Sequence, residues 1–120
     1  MSWFAAVEET FFVLEGEGER VGSRGHRVLA ELPQLEALEL SYGPDFEGVD
    51  PHTHADHTDS FYVLEGEVEF FLDGSYHRCG PGTFLSVPPN ITHGFRPCGE
   101  DFRLLNFHTP SVGFIERLRG

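Results

Sequence analysis

The chain has 120 residues and a formal charge of −12, from 20 acidic side chains against 8 basic ones, all of them arginine. A chain of this length closes one core that buries roughly two-thirds of the unfolded surface, so one domain over residues 1–120 is expected. The acidic balance argues against nucleic acid and anionic membranes as partners, since both require a positive face, and no apolar run is long enough for a membrane span.

Residues 1–9 lack the basic start and long apolar centre of a secretory leader, so the cytoplasm is the expected compartment. Phe11 to Leu14 then reads as an edge strand, followed by a polar turn over Glu15 to Glu19. The segment Thr10-Phe-Phe-Val-Leu-Glu-Gly-Glu echoes Ser60-Phe-Tyr-Val-Leu-Glu-Gly-Glu fifty residues later. The first copy has too little chain before it to be half of a duplicated barrel, and its free edge is suited to pairing with a second subunit. Leu35 to Tyr42 fits both a helical turn and a strand. Leu38, Leu40 and Tyr42 alternate, and the position ahead of the histidine-rich segment favours strand.

That segment, His52-Thr-His54-Ala-Asp56-His57-Thr-Asp59, precedes a strand-like run beginning at Phe61. In an extended chain His52 and His54 project to one side, so their imidazoles can converge on one ion. Asp59 follows a turn and can supply a carboxylate where the chain re-enters the sheet. His57 lies in that turn and is the alternative to Asp59, its plain reading being a solvated histidine. With His57 in place of Asp59 the shell becomes all imidazole, which suits copper or zinc better than iron.

Ser60 to Asp73 reads as a strand pair with Val68, Phe70 and Leu72 on one face and a bend or bulge at Gly66. Asp73-Gly74 turns the chain, Tyr76 to Cys79 returns, and Pro81-Gly82 turns it again. Thr83 to Val87 is a short strand ended by Pro88-Pro89. His93, within Asn90 to Pro97, completes a shell of three histidines and one carboxylate. Asp101 to Phe107 is the last strong strand, and Val112 to Arg119 fits a short helix through Phe114, Ile115 and Leu118.

These residues resemble the cupin superfamily over about residues 35–118. Its first motif, a glycine, His-x-His, an acid and a glycine, corresponds to Gly48, His52, His54, Asp59 and Gly66. Its second corresponds to Gly82, Pro88, Asn90 and His93. The resemblance implies an all-β, double-stranded β-helix (jelly-roll) barrel with its core over about residues 10–110 and a short C-terminal helix or tail over about 111–120. It also implies a homodimer, a small-molecule ligand, and one divalent transition metal (iron, manganese, nickel, copper or zinc) held by His52, His54, Asp59 and His93. Three departures stand out. Gly48 lies nearer to His52 than the motif has it. Asp59 replaces the usual glutamate and reaches roughly 1.5 Å less far, so either the backbone moves inward or a water bridges. Asn90 replaces a glycine, a mild change because asparagine tolerates positive φ.

Such a shell leaves coordination positions open, which points to a metal-dependent enzyme of dioxygenase or isomerase type acting on a small organic molecule. The rival readings are a non-catalytic binding or sensor module and a purely structural metal. His108 shares a strand face with Asn106, Leu104 and Phe102, so it is either a general acid or base at the barrel mouth or a hydrogen-bonded strand end. His26 and His77 sit on hairpin edges. Phe61, Phe70, Phe84, Phe95, Phe102 and Phe107 lie on strands as core, with Phe61 and Phe95 able to line a dry pocket. Cys79 and Cys98 are in no metal-ligand spacing and read as reduced structural thiols.

Overall fold

The structure is a computed structural model that describes residues 10–120; the segment examined for a secretory leader, residues 1–9, lies outside the described residues. Among the described residues, ten strands form two antiparallel sheets: β1 (Arg20–Val21), β2 (His26–Leu32), β3 (Leu35–Tyr42), β4 (Val49–His52), β5 (Thr58–Glu65), β6 (Val68–Leu72), β7 (Ser75–Cys79), β8 (Phe84–Val87), β9 (His93–Pro97) and β10 (Phe102–Thr109). One short helix, α1 (Phe114–Arg119), follows. The six-stranded sheet runs β1-β2-β3-β10-β5-β8 and the four-stranded sheet β4-β9-β6-β7. This is the double-stranded β-helix.

Alternation decides which side chains enter the space between the sheets. Along β10 the burial alternates strictly, with Phe102, Leu104, Asn106 and His108 buried and the residues between them less so. Leu38 and Leu40 on β3, Phe61 and Val63 on β5, Phe70 on β6 and Phe95 on β9 complete the core. Each fully buried large apolar side chain contributes about 1.5–3 kcal/mol relative to leaving it exposed. Phe84, by contrast, points outward from β8 at 61% exposure, so it is not core. Tyr62 alternates with the buried Phe61 and faces away.

Other expectations are corrected. The two strands expected over Ser60 to Asp73 are present but do not pair with each other, because β5 and β6 belong to different sheets and the chain crosses between them at Gly66. Gly66 adopts φ 72°, and a Cβ there would run into the Asp101 carbonyl and Phe102, so the crossing demands glycine for both conformation and space. As expected, Asp73-Gly74 turns the chain, forming the β6–β7 hairpin through two successive positive-φ residues (φ 50° and 81°) of the kind that match strand twist. Residues 11–14 take no strand conformation, and Phe11, Phe12 and Leu14 are exposed, so the proposed edge strand is absent there. The outer position of this sheet belongs instead to the β1–β2 hairpin, where His26 is buried and its Nδ1 accepts the Ser41 N–H at 3.1 Å. Cys79 and Cys98 are free thiols, and burial pushes both above the ordinary range.

Candidate metal centre

Three strands and one loop bring the donors together. His52 ends β4 and stands in register opposite His93, the first residue of β9. His54 lies beyond the end of β4, where its carbonyl accepts the Asn90 N–H at 2.7 Å. Asn90 has φ 70°, so asparagine fills the motif's glycine position in the left-handed conformation that position requires. Asp59 comes from β5 in the opposing sheet and faces His108 of β10 across the ladder. The centre therefore lies between the two sheets.

One ligand atom from each of His52, His54, Asp59 and His93 lies within 4.8 Å of the others. The Nε2 atoms of His52 and His54 are 3.0 Å apart, and His93 Nε2 is 3.0 Å from Asp59 Oδ2. Ligands bonded at about 2.1 Å and at right angles lie about 3 Å apart, so these spacings match two edges of a coordination shell. The His54 to Asp59 edge is wider, at 3.8 Å. His52 and His54 converge although only His52 is in the strand. Asp59 needs no bridging water to reach the cluster.

The tautomers fit as well. His52 Nδ1–H donates to the Asp50 carbonyl and His93 Nδ1–H to the Ile91 carbonyl, each at 2.9 Å, which leaves the Nε2 lone pairs facing inward. The contact of His93 Nε2 with Asp59 Oδ2 favours a proton on that nitrogen as well. Burial opposes that cation, but the Asp59 carboxylate and the Ile91 carbonyl outweigh it and hold the His93 pKa above its ordinary value. Burial, joined by the neighbouring imidazoles of His57 and His93, pushes His54 down to about 4. Burial would raise Asp59, yet hydrogen bonds from His93 and Asn106 and the nearby His108 keep it below the usual carboxylate range. An ionised carboxylate beside one neutral imidazole and one whose proton is exchangeable is a donor set suited to a divalent ion.

His57 is placed differently from its sequence reading. It is buried, not solvated, because its ring stacks on His54 with centroids 4.1 Å apart while Nδ1–H donates to Asp56 at 2.7 Å. It joins a second cluster, His57, Asp59 and His108, that shares only Asp59 with the first. His108 is likewise buried: Nε2 lies 3.5 Å from Asp59 Oδ1, and Nδ1, at 3.4 Å from Glu36, makes no hydrogen bond. Burial lowers its pKa despite the two carboxylates. His26 and His77 stand outside both clusters.

Three contributors lay outside the sequence reading of the site. Asn106 donates to Asp59 Oδ1 at 2.7 Å, and the signal for it was its shared face with His108 on β10. Glu36 is 1% exposed, and its parity with Leu38 and Leu40 is the signal that could have placed it on the inward face. It accepts the backbone N–H groups of Val112 at 2.7 Å and Ile115 at 3.0 Å, so it pins the start of α1 over the site. Burial opposes its charge, but these donors hold the Glu36 pKa below normal. Arg117 is the third, carried to the cavity by α1. Nothing local in the sequence marked it.

The cluster forms the polar end of a cavity of about 300 Å³ whose walls include Leu40, Val49, Phe61 and Phe95. Both phenylalanines considered for a dry pocket thus line it. The Phe61 and Phe95 rings meet edge to face at 5.7 Å, a rigid aromatic wall beside His93.

Comparison with known proteins agrees with this architecture. A family model described as a cupin domain matches residues 39–108. Quercetin 2,3-dioxygenase of Bacillus subtilis (strain 168) is 37% identical over 91 residues, which are 71% of this chain but 27% of that relative's length. Among solved structures, KdgF from Halomonas sp. superposes with a TM-score of 0.74 at 23% identity, covering 86% of this chain and 96% of that one. The polyketide cyclase RemF from Streptomyces resistomycificus gives 0.65 at 26% identity, covering 78% and 70%.

Proposed function

The chain belongs to the cupin domain family, and on that premise we propose that it holds one divalent transition metal through His52, His54, Asp59 and His93 and acts as a metal-dependent enzyme on a small organic molecule. The observation that carries this reading is the convergence of four donors from two sheets at the polar end of a cavity whose other walls include Leu40, Val49, Phe61 and Phe95. A purely structural ion would not need an accessible cavity beside it. Among the chemistries open to such a site, the dioxygenase type ranks ahead of the isomerase type, supported by the likeness to quercetin 2,3-dioxygenase over most of this chain.

A bound divalent ion there supplies Lewis acidity and, if redox-active, dioxygen chemistry. The chain's own residues do the remaining work. His52 and His93 are aimed by the carbonyls of Asp50 and Ile91, and Asp59 is held by Asn106. Phe61, Phe95, Leu40 and Val49 exclude water and take the apolar body of the ligand.

Elemental analysis of tag-free protein tests the metal, with His52→Ala as control. Oxygen uptake by the metal-loaded chain, with quercetin as the first probe, tests the chemistry. The expected result is one ion per chain, lost in His52→Ala, with oxygen consumption that depends on both ion and probe. A metal-free wild type that also refuses added iron, manganese, nickel, copper and zinc would overturn the proposal. Tight metal binding with ligand capture but no turnover of a broad probe set would instead identify a sensor module.

A further inference from the structure

Arginine use in this chain is lopsided. Six of its arginines, Arg24, Arg27, Arg78, Arg96, Arg103 and Arg119, pair with carboxylates. Arg119 alone engages Glu19, Glu31 and Glu116. Among the described residues, Arg20 and Arg117 make no such pair, and Arg117 is the arginine that lines the cavity of the metal centre. Arg117 is exposed to solvent, so its guanidinium stands at the open side of that cavity with no carboxylate among the described residues to neutralise it.

The side chain is also oriented. Nη1 donates to the Val112 carbonyl at 2.9 Å, and the guanidinium lies 5.9 Å from the Phe114 ring centroid. No hydrogen bond within the described residues engages its Nε and Nη2 edge, the planar fork that matches a carboxylate. The segment that carries it is anchored at both ends: Glu36 holds Val112 and Ile115, and Arg119 is tied to β2 through Glu31. Ile115 is fully buried, so the helix cannot lift without exposing it.

We propose that this cavity takes a small organic acid with an apolar or aromatic body, its carboxylate held by Arg117 and its far end directed at the histidine cluster. The inference rests on the proposed metal site for that second end only. With a net charge of −12, the protein's general field disfavours anions, so a specific cation at the cavity is what would admit one. The volume of about 300 Å³ lies at the low end for ligand sites, which favours a compact body over an extended one.

The test is calorimetric titration of the metal-loaded chain with 3-phenylpropanoate and with its neutral amide, in the wild type, Arg117→Gln, Arg117→Lys and His93→Ala. A charge-assisted bidentate contact predicts that wild type prefers the acid by about tenfold or more. Arg117→Gln should erase the preference by weakening the acid far more than the amide, and Arg117→Lys should keep part of it. Equal affinity for acid and amide in wild type, an undiminished preference in Arg117→Gln, or no binding of either probe overturns the proposal. His93→Ala separates the two readings. A preference that survives with the ion lost supports the Arg117 assignment independently of the metal, whereas a preference that vanishes there while Arg117→Gln retains it shows that the carboxylate binds the ion instead.

Discussion

Asn106 Nδ2 donates to Asp59 Oδ1 at 2.7 Å from the neighbouring strand, and the same amide also donates to the Ser60 carbonyl at 3.0 Å. The amide is thereby fixed in place, and one carboxylate oxygen of Asp59 is committed to it while the other faces His93 and His54. Asn106→Leu should remove that restraint while retaining a side chain of similar bulk. Outer-shell partners of this kind are worth about 10–100-fold in metal affinity. Competition with a calibrated chelator measures the loss, and an unchanged affinity would show that Asn106 does not restrain a ligand of the ion.

The division of the histidines between two clusters makes His57 the discriminating residue. Alanine at His52, His54 or His93 should take bound metal from one equivalent to nearly none, whereas His57→Ala should leave close to one equivalent, because His57 shares only Asp59 with the first cluster. Metal content after exhaustive dialysis reads both. A variant set in which His57→Ala empties the site and Asp59→Ala does not would reassign the fourth ligand.

Metal affinity should depend on pH with a definite sign. The His93 pKa is raised above its ordinary 6.5, so as pH falls through that titration a proton occupies the Nε2 atom the ion needs. Apparent affinity should then drop by about tenfold per pH unit for that one displaced proton. His54, pushed down to about 4, stays neutral over this range and adds its own competition only in stronger acid. Cobalt binding followed by its visible spectrum from about pH 8 to 5 checks the trend, and a flat profile between about pH 8 and 6 would contradict it.

Gly66 offers a stability test that leaves the donors untouched. Gly66→Ala places a Cβ against the Asp101 carbonyl and Phe102 in a left-handed backbone, where the conformational cost alone is about 1–2 kcal/mol. Chemical denaturation should show a larger loss than that, because the contact is with backbone at the start of β10. A loss under about 0.5 kcal/mol, the scale of an indifferent surface change, would mean that the crossing between sheets relaxes freely.

Removal of the ion should leave the fold in place. The core of Phe61, Phe70, Phe95, Leu38, Leu104 and Val68 is buried without reference to the donors. A chelator-treated sample should keep its far-ultraviolet circular dichroism, with a lower melting temperature set by the lost binding energy, about 4 kcal/mol when ligand exceeds Kd a thousandfold. Global unfolding on chelation would favour a structural staple.

The sequence alone determined the chemistry available and the local conformations. His52, His54, Asp59 and His93 were identifiable because donor type and motif spacing are properties of the chain. Leu38 and Leu40 on β3, Phe70 on β6 and the Asp73-Gly74 turn followed from period-two alternation and positive-φ preference, both of which act over a few residues. Phe11 to Leu14 shows the limit of such signals, since its likeness to β5 says nothing about whether a pairing partner exists. Tertiary structure decided what depends on one sheet facing another: that Gly66 sends β5 and β6 into different sheets, that His57 is buried in a second cluster beside Asp59, and that Asn106, Glu36 and Arg117 reach the site from β10, β3 and α1. Those placements arise from long-range packing of the two sheets and the docking of one terminal helix: strand parity can turn Asn106 and Glu36 inward, but no local spacing says which groups they meet there.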